Sequence, residues 1–443
     1  MTGYTNPQWE TCQSTGEQCL FDSQRDIAPE YRQNCRIGSV PAYFIDIHSE
    51  QDVLTAFRFS KEHNVSLVIK NTGHDYKGRS SAPGSLGLWV RLLQEFIDAI
   101  SYERNFIPEG CYSDVPLPAV YLGAGVQWYE AFDFAEENNI TLVGGSDRTV
   151  GTSGGWLQGG GHSMLSNTMG LGVDRALQFR VVTPDGQYLT ANSCQNQDLF
   201  FALRGGGGGT FGVVMESTVL ASPQITLQMI HVSFGSSDEN LTRDLWTIMV
   251  ANGLRWATEG WGGIATSNIA IYVNPNLGHD DALESIEPLL EFAERLQMDG
   301  VAKVTVITTE FSSWGRFFDW FSSRYVASVG VSLALSSRLV NKELFTTSVN
   351  QHTLVDALLE ASKITPRLIL MLSTPFSFHG DGQTSINEAW RSSLYHVTVA
   401  STWTWNATID EKRDAYQKVR NSINHLRALT PDAAYVVGSL SES

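Results

Sequence analysis

The chain is short of positive charge. Over 443 residues it carries 30 Lys and Arg against 47 Asp and Glu, a formal net charge of −17. A surface this acidic repels phosphate backbones and anionic headgroups, so nucleic acid and membrane surfaces are poor partners. Any anionic group it binds must be gripped locally, by backbone N–H groups. Cysteine is scarce as well. Cys12, Cys19, Cys35, Cys111 and Cys194 make no C-x-x-C pair and H-E-x-x-H is absent, so no metal site is expected. Three of the five cysteines fall in the first 35 residues, which suits a disulfide there, and the odd total leaves at least one thiol over. No apolar run reaches the length of a membrane span, and the opening MTGYTNPQWE has neither the basic nor the apolar part of a secretory signal. The expectation is no membrane insertion, with the compartment undetermined. Sequons at Asn64, Asn139, Asn240 and Asn406 are no more than a Ser/Thr-rich chain supplies by chance.

What is present is a globular composition, 42% hydrophobic and 17% charged, long enough for two or three domains. Residues 1–38 are polar and irregular. Residues 39–223 hold two strand–helix–strand units: AYFIDIHS, EQDVLTAFRFSKEHN and SLVIKNTG, then AVYLGAG, VQWYEAFDFAEENN and ITLVGGS. Their endings match in kind, so two related α/β halves are expected, and Ser49 with Asp52 is a plausible N-cap pair. Residues 224–432 alternate strands and amphipathic helices. They read as an antiparallel sheet covered by helices on one face. The overall class is α+β, with a tail at 433–443. Trp314, Phe317, Phe318, Trp320 and Phe321 cluster on one segment, either a core helix or a substrate-pocket wall.

Several motifs fail on inspection. Gly123-Ala-Gly125 begins like G-x-G-x-x-G, but Trp128 takes the third glycine position. The five glycines at 205–209 are not followed by Gly-Lys-Ser/Thr. Gly151-Thr152-Ser153-Gly154-Gly155 formally fits G-x-S-x-G, a cheap match in such a glycine-rich region. Taken together the glycines say more. Eight fall between Gly144 and Gly161, in GGSDRTVGTSGGWLQGGGHS, and LRGGGGGTFGVV repeats the theme. Backbone freed of side chains can approach a ligand closely and turn its N–H groups into an anion nest. These two stretches, with the glycines flanking His74 in NTGHDYKGRSS, suit a long flat ligand with a central diphosphate. FAD has that shape. A neutral imidazole beside it is a nucleophile able to bond to the methyl at C8 of the ring.

VIKNTGHDYKGRSSAPGSLGLW, TVGTSGGWLQGGGHSMLSNTMGLGVD and DLFFALRGGGGGTFGVV, in that order, resemble the vanillyl-alcohol oxidase superfamily. The nearest branch is that of the fungal berberine-bridge-enzyme-like FAD-linked oxidoreductases. SSRLV and NEAWRSSLYHV continue the likeness, which runs from about residue 12 to 432. The resemblance implies a two-subdomain FAD-binding domain of the PCMH type followed by a substrate domain. It implies that His74 carries FAD through C8. It also implies that Asn71, Thr72, Gly73, Asp75, Tyr76 and Gly78 cradle the diphosphate. Gly144, Gly145, Ser146, Thr149, Gly151, Ser153 and Gly154, with Gly160, His162 and Ser163, would form a second wrapping segment. Gly212 and Val214 would close over the adenine side. Many relatives add a cysteinyl link two residues before Thr-Val-Gly. Asp147 stands there, so one tether is expected. Relatives also continue past the final Pro-Asp-Ala with a segment returning to the FAD domain, which this chain does not show.

The implied activity is an oxidase. Hydride leaves a carbon bearing OH or an amine for flavin N5, and O2 takes the electrons. The expected substrate is a small molecule of fungal secondary metabolism, including alkaloids such as those of ergot oxidative cyclisation. A carbohydrate or simple alcohol oxidase is an alternative, and a flavin-binding protein without turnover is another. The proton acceptor is unassigned. Tyr272, Glu310 and His162 are weak candidates.

Overall fold

A computed structural model of the chain describes residues 40–433, apart from 77, 96–98, 113–114, 326–332 and 405. The irregular amino-terminal segment with Cys12, Cys19 and Cys35, and the tail from 434, lie outside the described residues.

The chain begins with a small parallel sheet, strand Leu86–Trp89 lying between Tyr43–Asp46 and Leu67–Lys70. Helix Glu50–His63 links the two outer strands. Its start is fixed by a capping box in which the Ser49 hydroxyl accepts from the Asp52 N–H and the Asp52 carboxylate accepts from the Ser49 N–H. Lys70 ends its strand almost wholly buried, and burial lowers its pKa to about 7.

The second unit differs from the first. Leu117–Gly123 enters a five-stranded antiparallel sheet, in the order Ile100–Phe106, Leu117–Gly123, Val213–Leu220, Ala176–Val182, Tyr188–Asn192. Helix Trp128–Glu137 follows and buries Trp128, Ala131, Phe132 and Ala135, one helical stripe. The expected third element, ITLVGGS, pairs only over Ile140–Thr141, with Ser222–Pro223. It then leaves to run beneath Trp128, where a side chain on Gly144 would overlap the indole ring. The two halves are therefore not copies: one builds a parallel sheet, the other an antiparallel one.

The carboxy-terminal part is a seven-stranded antiparallel sheet, ordered Thr305–Phe311, Leu227–Ser233, Ile269–Asn274, Gly262–Ala265, Arg367–Leu372, Ser393–Thr402, Leu333–Asn341. Gly262–Ala265 is too short and too glycine-rich to show alternation in sequence. Side chains alternate across this sheet. Ile230, Val232, Tyr272, Val397 and Val399 join a core with helices Glu239–Thr258, His279–Met298, Ser348–Ile364 and Ile409–Leu429. Leu227, Met229, Ile271 and Val273 join Trp128, Phe132 and Trp156 of the amino-terminal part. The sheet is thus sandwiched between its own helices and the glycine-rich region. The aromatic helix Trp314–Ser322 belongs to that second core. Phe318 lies 4.6 Å from Phe132 and Trp314 lies 6.0 Å from it, so the helix is packed as core.

Polar ties reinforce the junction. Arg391 pairs with the buried Asp174 at 2.7 Å, Arg204 with Asp381 at 3.1 Å, and Asn167 Nδ2 donates to the carbonyls of Ala257 and Trp261. No helix among the described residues is long and apolar enough to cross a membrane.

Candidate active site

Three separated motifs meet at one cavity of about 330 Å3, within the ~300–1,000 Å3 range of small-molecule sites. Asn71 comes from the first, Ser153 and Gly154 from the second, Gly212 and Val214 from the third. Leu67, Val68 and Ile69 of the parallel sheet and Gly208, Gly209 and Thr210 of the glycine run complete much of the wall. The first two motifs are fastened tightly. A side chain on Gly151 would bring a Cβ 2.5 Å from Asn71 Oδ1, and Asn71 Nδ2 donates to the Ala124 carbonyl at 2.6 Å. Among the described residues, Asn71 Oδ1, Thr72 Oγ1, Ser81 Oγ and Gln158 Oε1 are buried without a hydrogen-bond partner. Asn71 and Gln158 line the cavity, and buried polar atoms are normally satisfied, so their two orphaned oxygens point to a ligand that donates hydrogen bonds.

Asp75 does not face that ligand directly. It is fully buried and takes both a bidentate contact from the Arg79 guanidinium and the Arg79 N–H at 2.6 Å. The carboxylate folds the loop and holds Arg79 at the cavity wall. Arg79 is a cation the sequence reading missed. Its signal was the i, i+4 spacing from Asp75. The Ser153 hydroxyl donates to the Leu122 carbonyl at 3.0 Å and meets the Ser217 hydroxyl at 2.6 Å. Neither partner is a base, which removes the nucleophile-elbow reading. Ser163 and Ser166 close a local turn, Ser166 Oγ accepting from the Ser163 N–H at 2.8 Å.

His74 lies three residues beyond Asn71. Gly73, at φ 87°, turns the chain in a conformation that side chains resist. The ring is buried, with Nε2 at 2.7 Å from Thr149 Oγ1 and 3.7 Å from Asp147 Oδ1. Thr149 donates both its N–H and its hydroxyl to that same carboxylate oxygen, each at 2.9 Å. Burial lowers the His74 pKa, and Asp147 and Thr149 offset part of that shift. Asp147, expected only as a missing cysteine, is thus a working neighbour of His74.

The third group lies across the domain junction. His162 stacks on Trp390 at 5.9 Å, its Nδ1 meets Ser373 Oγ at 3.3 Å, and the ring of His396 stands edge-on at 5.7 Å. His396 is 0% exposed and neither ring nitrogen has a partner among the described residues. Burial, with His162 beside it, holds its pKa well below the usual value. In register, His396 opposes Met371, then Ile264, then Ile271, which belongs to the core shared with the amino-terminal part. His396 therefore faces the glycine-rich region.

Tyr272 and Glu310 occupy the opposite face. Tyr272 opposes Ile230 and packs edge-on against Trp256 and Trp261, where burial raises its pKa well above normal. Glu310 accepts from Gln228 Nε2 at 2.6 Å. Tyr272 points into the helical layer, and Glu310 lies exposed on the same face of the edge strand. Of the three weak candidates only His162 reaches the junction, and His396 had no local signal at all.

Residues 41–192 match a family model described as FAD binding domain. The chain is 36% identical over 387 residues to the FAD-linked oxidoreductase phmC of Phaeosphaeria nodorum, covering 86% of this chain and 85% of that one. The chain belongs to the FAD-linked oxidoreductases of the vanillyl-alcohol oxidase and berberine-bridge-enzyme-like superfamily. FAD-linked oxidoreductase ffsJ of Aspergillus flavipes is 33% identical over 97% of this chain and 75% of its own length. Among solved structures, the VAO-type flavoprotein MtVAO615 of Myceliophthora thermophila C1 superposes with TM-score 0.79 at 27% identity, over 92% of this chain and 74% of that one. This FAD-dependent oxidoreductase thus has residues that fit its cofactor. The Arg79 cation on the cavity wall suits the diphosphate of a dinucleotide, and the orphaned acceptor oxygens of Asn71 and Gln158 suit hydroxyl or N–H donors elsewhere on it, between glycine backbones.

Proposed function

We propose that this oxidoreductase is an oxidase of a carbon bearing a hydroxyl or amine, with dioxygen as acceptor and FAD held by one covalent bond from His74. Its substrate is a small molecule of fungal secondary metabolism, alkaloid amines among the candidates. The reading is carried by one observation, the convergence of three sequence-distant motifs on a single glycine-walled cavity. The fungal origin of the relatives supports the substrate class.

Bound FAD supplies a two-electron acceptor that takes hydride from the substrate carbon and passes the electrons to dioxygen. The protein's part is binding and proton handling. Arg79 would hold the diphosphate, and Asn71 Oδ1 and Gln158 Oε1 would accept from hydroxyl or N–H groups of the dinucleotide. His396 accepts the O–H or N–H proton of the substrate. Its depressed pKa keeps the imidazole neutral at pH 7, the form a base requires. His162, held by Ser373, lies beside it, and Trp390 covers both rings.

Acid precipitation tests the cofactor reading. The wild-type pellet is expected to stay yellow, and His74→Ala is expected to move the colour to the supernatant. Peroxide release on adding alcohols and amines tests turnover. A purified enzyme that contains and takes up no flavin sinks the proposal.

A further inference from the structure

The contacts of His74 fix more than its position. Thr149 has one hydroxyl hydrogen, and that hydrogen goes to Asp147 Oδ1 at 2.9 Å. At the 2.7 Å contact with His74 Nε2, Thr149 Oγ1 must then accept. The ring proton sits on Nε2, and the lone pair is on Nδ1. The same carboxylate oxygen is 3.7 Å from Nε2, so ring nitrogen, hydroxyl and carboxylate oxygen form a compact triangle. The backbone N–H of Thr149 also binds that oxygen, so hydroxyl and carboxylate keep their geometry whichever way the proton moves.

We propose that Thr149 and Asp147 form a proton relay that prepares His74 for bonding to FAD and removes its proton as the bond forms. The inference rests on the tether proposed above. Joining Nδ1 to the methyl carbon at C8 replaces one methyl hydrogen. That carbon loses a proton, the Nδ1 lone pair makes the new C–N bond, and two electrons pass into the ring system. Dioxygen removes them as hydrogen peroxide. The imidazole, now bonded to carbon at Nδ1 and to hydrogen at Nε2, is positively charged until Nε2 loses its proton. Thr149 accepts that proton while passing its own to Asp147. Overall, one methyl hydrogen and one imidazole hydrogen leave, one C–N bond forms, and one dioxygen becomes one hydrogen peroxide. Thr149 and Asp147 are positioning and proton-handling residues for cofactor attachment. They have no assigned part in substrate oxidation.

The position of Asp147 gives this arrangement its reason. A cysteine there would offer a second bond to the ring. The carboxylate instead gives the one remaining bond a proton sink.

The test follows attachment itself. Wild type, Asp147→Asn, Thr149→Val, Thr149→Ser and His74→Ala are expressed, and each is acid-precipitated at intervals after FAD is added. Covalent flavin is expressed as a fraction of total bound flavin. Asp147→Asn keeps an oxygen acceptor but is no base, and Thr149→Val breaks the chain. Both are expected to slow attachment by roughly a hundredfold, the scale of general acid–base assistance, while still holding FAD that the supernatant recovers. Thr149→Ser restores the hydroxyl and is expected to restore the rate, which a merely structural role would not distinguish so sharply. Attachment at wild-type rate in both Asp147→Asn and Thr149→Val overturns the relay and leaves the tether standing. A colourless wild-type pellet with FAD in the supernatant overturns the tether and the relay together.

Discussion

His396 concentrates the chemistry that one residue can carry. A fully buried imidazole with two unpartnered nitrogens is costly unless a ligand satisfies it. His162 stands edge-on to it and Trp390 packs against it, and the role proposed for it is to take the proton of a substrate hydroxyl or amine. His396→Leu keeps a comparable apolar volume and removes the base. Turnover is expected to fall by roughly 10²–10⁴-fold, with bound flavin, read from the visible spectrum, unchanged. Turnover within twofold of wild type would remove His396 from the mechanism. Residues differ in how visible they are in sequence. His74 stands in a motif between glycines and announces itself. His396 sits in LYHVTVAS, an ordinary strand pattern. Period-two alternation says that Tyr272 and Glu310 each share a face with their i±2 neighbours, but not which face meets the cofactor domain. Only the cross-strand register decides that, and it places both on the helical side.

At the scale of elements, most of the architecture could be read because helix periodicity and strand alternation are strong in the second half of the chain. The amphipathic helices expected to alternate with strands over 224–432 appear as Glu239–Thr258, His279–Met298, Ser348–Ile364 and Ile409–Leu429. The apparent repeat misled, because strand direction depends on long-range pairing that a matching local pattern does not encode. A disulfide between Cys111 and Cys194 was also hidden, since the cysteine count pointed instead to the first 35 residues. Cys111 follows strand Ile100–Phe106 and Cys194 follows Tyr188–Asn192, 83 residues apart in sequence. Each looked isolated in sequence because the two strands are opposite edges of the five-stranded sheet, and the cysteines meet only where the segment after Ile100–Phe106 crosses to the far edge and Glu109 binds Gln178 and Asn192. A crosslink over so long a loop restricts the unfolded chain strongly. Cys194→Ser is expected to lower stability by about 2–5 kcal/mol, measured as a shift in urea midpoint under non-reducing conditions. A midpoint matching wild type would mean that the bond contributes nothing to stability.

For the whole molecule, the buried histidines set an acid limit. Burial lowers the pKa of His396 and of His231, with Arg324 adding to the effect at His231. Both groups are protonated more readily in the unfolded chain, whose imidazoles titrate near ~6.5. Between that value and the lower folded values the unfolded state holds more protons, so stability rises with pH. It is complete above ~6.5 and declines as pH falls below it, by up to about 1.4 kcal/mol per pH unit for each such histidine. The chain's net charge of −17 acts in the other direction, since protonating exposed carboxylates relieves their mutual repulsion. That relief begins nearer ~4, where ordinary carboxylates titrate. From pH 7.5 to 5.5 the histidines therefore dominate, and the urea midpoint of the holoenzyme is expected to hold down to about pH 6.5 and then to fall towards 5.5. His396→Leu removes one of the titrating groups and should make the decline shallower, whatever it does to the midpoint at pH 7.5. Parallel declines in the two proteins would show that His396 is not held neutral by the fold, and would remove the basis for its role as proton acceptor.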